Sequence, residues 1–309
     1  MITREQIVEA QGLVSGHIRE TPLLRLSLSG ESTPPIALKL EQLQVTGSFK
    51  PRGIFCRVLS NKASESGLIA ASGGNAGLAV AYAAQKLAIP AEIFVPESIA
   101  PAKLRGLKAL NAAVTVVGTK YADAYLASVD RAAESGALVI HAYDQREVAI
   151  GQGTLALEIE RQFPEVNTIL VSVGGGGLYA GVASWFVKVA KVVPVEPEHC
   201  PTLASAITTG GPLDVDVAGV AQSSLGATRI CQRAYDIAVA NEAETILVSD
   251  EAILDARRQL WRDARLAGEP AGVTALAAIT SGAYIPRPDE KVCVVISGAN
   301  SGTEGLEAR

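Results

Sequence analysis

The sequence is poor in the residues from which metal centres and disulfide frameworks are built. Its 309 residues include three histidines and four cysteines, and the cysteines lie far apart without the paired spacing of a zinc site. The pattern therefore argues against a His-rich zinc centre, and unpaired cysteines of this kind are typical of a reducing compartment. The three histidines are His17, His141 and His199, and the four cysteines are Cys56, Cys200, Cys231 and Cys293.

The chain also lacks a signal-peptide core and a basic surface. Met1 to Gln6 is charged, and Thr3 and Gln6 have the spacing of a helical capping box, so we expect a cytoplasmic protein. The net charge is −5, and aromatic residues do not alternate with basic ones, which argues against nucleic-acid binding.

Two uncharged segments approach the length of a membrane span. Residues 67–85 and 167–187 each run for about 20 residues without a charged side chain. A glycine cluster with polar neighbours interrupts each of them. Because buried parallel strands followed by packed helices give the same pattern, we expect no membrane span.

What the sequence has in abundance is the alternation of strand-like and helical segments. This alternation predicts an α/β fold of two domains, each with a mostly parallel twisted sheet flanked by helices. We expect a small domain at residues 66–143, inserted into a large domain formed by residues 1–65 and 144–309, with a loop near the site at Thr208–Ser224. The predicted strands are Ile36–Leu40, Leu68–Ala71, Ala91–Val95, Ala113–Val117, Leu138–Ile140, Thr168–Val171, Val192–Val195, Thr245–Val248 and Val292–Ile296, and the clearest predicted helices are Asn75–Leu87, Tyr121–Ser135, Gln145–Phe163 and Asp250–Ala267.

A lysine near a predicted helix start is the first candidate for chemistry. Lys50 follows Ser48 and Phe49, and we expect a helix to begin at about Ser48, whose hydroxyl would cap it. Pro51 then falls in the first turn, where a backbone N–H would have no acceptor within the helix, so proline is tolerated there. A desolvated lysine here can form an imine with an aldehyde, although a solvated surface lysine fits the same pattern.

Four consecutive glycines form the strongest single motif. They follow a buried strand and precede a helix, so their N–H groups and the helix N-terminus suit a phosphate. The motif is neither GxGxxG nor GxxxxGK[ST], which argues against a dinucleotide or nucleoside triphosphate, and a tight packed turn is the alternative. The loop consists of Gly174, Gly175, Gly176 and Gly177, followed by Leu178.

Two further loops offer polar groups at strand ends. Ser72-Gly73-Gly74-Asn75 presents N–H groups, a hydroxyl and an amide, which suit a substrate carboxylate, whereas an ordinary Asn helix cap gives the same pattern. Ser297 follows the buried run Val292–Ile296, at the edge where ligands bind in open α/β sheets, and a simple Ser/Asn turn is its alternative. Pyridoxal phosphate explains the whole set: its aldehyde would meet Lys50, its phosphate the glycine loop, and its ring nitrogen Ser297.

With these motifs assembled, the chain resembles the fold-type II pyridoxal phosphate enzymes, related to the tryptophan synthase β-subunit, in their serine/threonine dehydratase branch. The matching segments occur in order along nearly the whole chain. They are Thr21-Pro22-Leu23, Gly47-Ser48-Phe49-Lys50, Ser72–Gly77, Ser172–Leu178, Glu196-Pro197, Glu269-Pro270 and Ser297–Asn300.

The resemblance implies a role for each matching residue. Lys50 would form the Schiff base with the cofactor and act as the base, with Phe49 beside the ring. Asn75 would bond the phenolic oxygen and Ser297 the ring nitrogen. The phosphate would bind Gly174, Gly175, Gly176, Gly177 and Leu178, and the substrate carboxylate would bind Ser72, Gly73, Gly74 and Asn75.

The resemblance also implies a cation near the phosphate loop. The matching positions are the Glu196 side chain, the Cys200 carbonyl and Thr202. Relatives with a carboxylate at the third position favour divalent ions. Because Thr202 supplies only a hydroxyl, the resemblance implies a monovalent ion such as K⁺.

The expected reaction is β-elimination from L-threonine and/or L-serine, giving a 2-keto acid and ammonia. Ser297 is not a carboxylate and cannot strongly stabilise a protonated ring nitrogen, which favours a lyase over a transaminase. Racemase relatives carry a serine two positions before the loop asparagine, where this chain has Gly73. Dehydration is therefore preferred to racemisation, and a homodimer is expected from the family.

Three alternatives remain open. The chain could eliminate from another β-hydroxy or β-substituted amino acid, or it could be an amino-acid racemase. Outside enzymes, it could be a ligand sensor on the same fold, although Lys50 argues against a catalytically silent protein.

Overall fold

The inner strands of the two sheets in the computed structural model are buried on both faces, as in Ile36–Leu40, Leu68–Ala71 and Val292–Ile296. The structure describes residues 2–28, 34–61, 63 and 65–307. Residues 1, 29–33, 62, 64, 308 and 309, which the predicted domain ranges also contain, lie outside that description. The strands are β1 Leu23–Leu26, β2 Ile36–Leu40, β3 Leu68–Ala71, β4 Ala91–Val95, β5 Ala113–Val116, β6 Leu138–Val139, β7 Thr168–Ser172, β8 Lys191–Pro197, β9 Ile246–Val248 and β10 Val292–Ile296.

Helices separate most of these strands and cover the sheets. The Thr3/Gln6 capping box predicted from the sequence is present at the first helix. The helices are α1 Arg4–Val14, α2 Lys50–Ser60, α3 Asn75–Leu87, α4 Pro101–Ala109, α5 Tyr121–Ser135, α6 Arg146–Gln162, α7 Gly177–Trp185, α8 Thr202–Thr209, α9 Gln222–Leu225, α10 Gln232–Ala240, α11 Asp250–Ala264 and α12 Pro270–Thr280.

The strands form two sheets, which confirms the predicted α/β class. The larger sheet has the order β1-β2-β10-β7-β8-β9 and is parallel except for the β1–β2 pair. The smaller sheet, β5-β4-β3-β6, is parallel throughout. All four strands of the smaller sheet lie between Leu68 and Val139, inside the range 66–143 that we propose as an inserted domain.

Both uncharged segments divide into a buried strand, a glycine loop and a helix. Residues 67–85 contain β3 and most of α3, and residues 167–187 contain β7 and α7. Among the described residues, no helix combines the length and the apolar character needed to cross a bilayer.

Two local expectations differ from the structure. Leu23–Leu26, which was not expected to be a strand, pairs antiparallel with β2 at the edge of the larger sheet. The predicted loop Thr208–Ser224 begins in the last turn of α8 and ends in the short helix α9.

The prediction that Ser48 caps α2 is wrong. Helix α2 begins at Lys50 with Phe49 at the N-cap, and the buried Ser48 hydroxyl has no partner among the described residues. The reason is backbone pairing: Ser48 forms an antiparallel bridge with Gly298, and the Phe49 N–H donates to the Ser297 carbonyl at 3.1 Å. This pairing holds Ser48 extended and ties the start of α2 to the end of β10.

A buried ionic network fixes α2 against its neighbours. Arg52 is fully buried, and its guanidinium donates to the Glu41 carboxylate at 2.7 Å and to the Glu158 carboxylate at 2.8 Å. Lys39 of β2 donates to Glu158 at 2.6 Å and to the Thr21 carbonyl at 2.7 Å. The two cations therefore balance two carboxylates, and the network joins β2, α2 and α6 two residues from Lys50.

Replacing Arg52 with methionine should lower the free energy of unfolding by roughly 3–5 kcal/mol, because two buried carboxylates would lose their shared partner. Urea denaturation followed by circular dichroism measures the change. The control is Arg25→Ala, because Arg25 pairs with Glu165 on the exposed surface and its loss should change stability little. Equal stability of R52M and the parent would contradict the assignment.

Candidate functional site

One cavity of about 770 Å³ gathers the chemistry-bearing loops at the carboxyl ends of β3, β7 and β10. This is the edge at which ligands bind in parallel α/β sheets, and the volume suits a cofactor together with a small substrate. The predicted site residues that line it are Phe49, Lys50, Ser72, Gly73, Gly74, Asn75, Gly174, Gly175, Gly176, Gly177, Leu178 and Ser297.

The Lys50 side chain enters the cavity from the first residue of α2. Its amine donates to the Ala142 carbonyl at 2.8 Å and lies 5.0 Å from the centre of the Phe49 ring. Burial lowers the pKa of the Lys50 amine to about 8, and the Glu269 carboxyl opposes part of that fall. The amine is therefore unprotonated at a far lower pH than a surface lysine, as a nucleophile requires.

The glycine loop supplies free backbone donors to the same cavity. Among the described residues, no acceptor is bonded to the N–H groups of Gly174 to Gly177. Gly176 has φ +92°, and a Cβ atom on Gly175 would overlap the Tyr143 ring, so the loop requires glycine at both positions. Unpaired N–H groups at the start of α7 fit an anionic group such as the phosphate of pyridoxal phosphate.

Asn75 is held in one orientation by two neighbours. Its side-chain Nδ2 donates to the Glu269 carboxylate at 2.6 Å, and its Oδ1 accepts from Asn300 Nδ2 at 2.8 Å. Asn300 Nδ2 in turn donates to the Thr46 carbonyl at 2.7 Å. One N–H of Asn75 has no acceptor among the described residues, and it is the donor that remains for a ligand.

The rest of this loop presents backbone donors. The Ser72 hydroxyl accepts from the Gly74 N–H at 3.3 Å. Within the described part of the chain, the N–H groups of Gly73 and Asn75 meet no acceptor. The loop thus fits a second anion, such as a carboxylate.

Ser297 ends β10 and faces the cavity. Its backbone is fixed on both sides, because its N–H donates to the Gly272 carbonyl at 3.0 Å and its carbonyl accepts from Phe49. The Ser297 side chain is 5% exposed. No hydrogen bond of its hydroxyl occurs within the described ranges, so the hydroxyl can serve a ligand.

Glu269 and Tyr143 are cavity residues to which the sequence assigned no role, although Glu269 lies in one of the segments that match the family. Glu269 is 4% exposed, and burial raises the pKa of its carboxyl. It precedes Pro270 at the start of α12, a pattern that is also common at helix starts, so no separate sequence signal pointed to the cavity. Tyr143 packs on the glycine loop and donates to the Arg229 carbonyl at 3.3 Å.

The three candidate cation ligands lie together behind the glycine loop. The buried Glu196 carboxylate accepts from the Thr202 hydroxyl at 3.0 Å and from the Leu203 and Ala204 N–H groups. The Thr202 hydroxyl also lies 2.7 Å from the Gly174 carbonyl, and the Cys200 carbonyl accepts from the Thr202 N–H. Burial raises the pKa of Glu196 to about 7.

Comparisons with known proteins give one consistent result. A family model described as pyridoxal-phosphate dependent enzyme matches residues 14–298. The L-threonine ammonia-lyase of Thermotoga maritima is 33% identical over 306 residues, which cover 97% of this chain and 76% of that protein. Among solved structures, a threonine deaminase from T.th. has a TM-score of 0.89 and 30% identity, covering 97% of this chain and 99% of that one. Maize serine racemase has a TM-score of 0.91 and 26% identity, covering 98% and 95%.

The pKa of Lys50 gives a test in which no substrate is needed. An amine adds to an aldehyde only when it is unprotonated, so the rate at which the cofactor-free chain combines with pyridoxal phosphate should rise with pH through a midpoint near 8. Stopped-flow absorbance measures this rate. In Glu269→Gln the midpoint should fall, because the carboxylate that favours the ammonium form is gone. A midpoint near that of a free lysine would contradict the burial of this amine.

Proposed function

The chain belongs to the pyridoxal-phosphate dependent enzyme family, and we propose that this lyase converts L-threonine, L-serine or both into a 2-keto acid and ammonia. One observation carries the proposal. The Lys50 amine, whose pKa is lowered, lines the same cavity as the glycine loop and the Ser72–Asn75 loop, both of which offer N–H donors. One loop suits the cofactor phosphate and the other suits the carboxylate of an amino acid.

The residues of the cavity fit pyridoxal phosphate. When bound, this cofactor withdraws electrons from the substrate Cα, which no side chain can do. We propose that Lys50 binds its aldehyde carbon, that the amides from Gly174 to Leu178 bind its phosphate, and that Ser297 and Asn75 bond its ring nitrogen and phenolic oxygen. Phe49 would pack beside its ring.

The chain's own groups then orient the substrate and move its proton. The N–H groups and hydroxyl of the Ser72–Asn75 loop would hold the substrate carboxylate. The Lys50 amine would take the Cα proton, which an amine of pKa about 8 can do near neutral pH. Because Ser297 is a neutral hydroxyl, it would not hold a proton on the ring nitrogen, and this favours prompt loss of the β-substituent.

Elimination is preferred to racemisation because of the surroundings of Gly73. Racemisation requires an acid on the face of Cα opposite the base, and glycine offers none. A Cβ atom on Gly73 would lie 3.0 Å from the Ile99 Cδ1 atom and 3.5 Å from Val95. Apolar side chains thus border the position where a racemase would carry a hydroxyl.

The likeness to maize serine racemase favours amino-acid racemisation as a second candidate. Elimination from another β-hydroxy or β-substituted amino acid would use the same groups. A ligand sensor would not need an amine of lowered pKa in the cavity, so Lys50 speaks against that function.

We further propose K⁺ at Glu196, Cys200 and Thr202, because a buried carboxylate, a carbonyl and a hydroxyl lie together there. Loss of activity when K⁺ is replaced by tetramethylammonium would support it. A cytoplasmic homodimer is the remaining part of the proposal. It is supported by the four unpaired, buried cysteines and by the family resemblance, and sedimentation with cell fractionation tests it.

The deciding experiment is a keto-acid assay across L-threonine, L-serine and their β-substituted analogues. The parent enzyme should release 2-oxobutanoate or pyruvate with equimolar ammonia. Lys50→Ala should lose at least about 10²-fold in kcat, because the base is removed. The control is Lys108→Ala, an exposed lysine of α4, which should retain parent activity. A parent enzyme without keto-acid product from any of these substrates would overturn the proposal.

Gly73→Ser combined with Ile99→Val should introduce a hydroxyl into space that Ile99 now restricts. We expect the ratio of D-serine to pyruvate formed from L-serine to rise several-fold, because a proton donor then faces Cα. Chiral chromatography measures the ratio, with Ile99→Val alone as the control. The proposal for elimination would fail if the parent already formed D-serine as fast as pyruvate.

A further inference from the structure

Two buried polar side chains in the cavity have no hydrogen-bond partner among the residues that the structure describes. Gln152 of α6 and Tyr179 of α7 are each 1% exposed, and both line the cavity that contains Lys50. Neither the Oε1 and Nε2 atoms of Gln152 nor the Tyr179 hydroxyl forms a hydrogen bond within the described part of the chain. None of the roles derived above uses either residue.

Leaving these groups unpaired would be costly. A buried polar group without a hydrogen bond destabilises the fold, and the great majority of buried polar groups in folded proteins have a partner, which can be ordered water. The two helices that carry them pack closely together. A Cβ atom on Gly181 of α7 would overlap the Ala149 carbonyl of α6, so the two backbones are already in close contact.

The Gln152 amide lies close to the helix that carries Lys50. A Cβ atom on Gly53 would overlap Gln152 Nε2, and Gly53 follows Lys50 by three residues, which places both on one face of α2. The Lys50 amine donates one hydrogen to the Ala142 carbonyl. Its ammonium form has two more hydrogens, which meet no acceptor among the described residues.

We propose that Gln152 and Tyr179 form a binding site for a buried water molecule beside Lys50, and that this water accepts a hydrogen bond from the protonated Lys50 amine. The water would have three polar neighbours, which is the usual number for a buried water. In the reaction proposed above, on which this role rests, the site stabilises Lys50 after it has taken the Cα proton.

Other titratable groups also lie near Lys50. Glu269 favours the ammonium form of Lys50, and the Lys50 charge helps to lower the pKa of His141. Lys103 and Tyr143 line the same cavity. The test therefore changes a group that is neutral at the working pH, so that none of these charges is altered directly.

The variant is Tyr179→Phe, which removes one hydroxyl and keeps the ring. Tyr235→Phe is the matched control, because Tyr235 of α10 is not among the cavity residues. Three measurements are made on both: the crystal structure of the holoenzyme, the pH midpoint for addition of pyridoxal phosphate to the cofactor-free chain, and the pH profile of kcat. Thermal unfolding checks that both variants fold.

The parent crystal should contain a water within hydrogen-bonding distance of both Gln152 and Tyr179. In Y179F the water should be lost, and the midpoints of cofactor addition and of the acid limb of kcat should both fall by about half a pH unit or more, because the ammonium form is less stable. Y235F should leave both midpoints unchanged.

The water site is overturned if the parent crystal shows none, or if Y179F leaves the midpoint of cofactor addition unchanged. Because cofactor addition needs no substrate, it tests the water site even if the chain does not act on threonine or serine. A shifted midpoint without keto-acid activity would contradict the proposed reaction but not the water site. Keto-acid activity in a chain whose crystal lacks the water would contradict the water site but not the reaction.

Discussion

The position of the Lys50 amine depends on the burial of Arg52 two residues further along the same helix. A guanidinium that is removed from water is tolerated only when its donors meet acceptors of fixed geometry. Glu41 and Glu158 provide such acceptors at two adjacent edges of the guanidinium, so α2 can neither rotate nor slide without breaking a charged pair. This ionic anchor fixes where α2 begins, and Lys50 is its first residue.

The two anion-binding loops of the site rely on backbone N–H groups and not on charged side chains. The glycine loop and the Ser72–Asn75 loop offer backbone N–H groups, which attract anions but carry no net charge. A cationic side chain in either loop would lower the pKa of Lys50 further by repulsion. It would also compete with the backbone N–H groups for the bound anion. Neutral donors leave burial and Glu269 as the principal influences on the Lys50 amine.

The alternation of strand-like and helical segments predicted most of the fold. Buried parallel strands such as β7 and β10 are marked by continuous apolar runs, and the glycine or serine that follows each run predicted the placement of the loops. Features that depend on distant contacts could not be predicted this way. Ser48 looks like a helix cap locally, yet pairing with Gly298 pulls it into an extended conformation. Glu269 looks like an ordinary helix start, and its contact with Asn75 joins residues 194 positions apart.

The contact between Glu269 and Asn75 links ligand binding to the protonation of Lys50. Burial favours a neutral Glu269 carboxyl, whereas the hydrogen bond from Asn75 favours the ionised form. An ionised Glu269 raises the pKa of Lys50 and so opposes part of the effect of burial. A ligand that bonds the free N–H of Asn75 would polarise the same amide and change how strongly it donates to Glu269. Since the coupling is reciprocal, the protonation state of Glu269 must in turn affect how tightly that ligand is held.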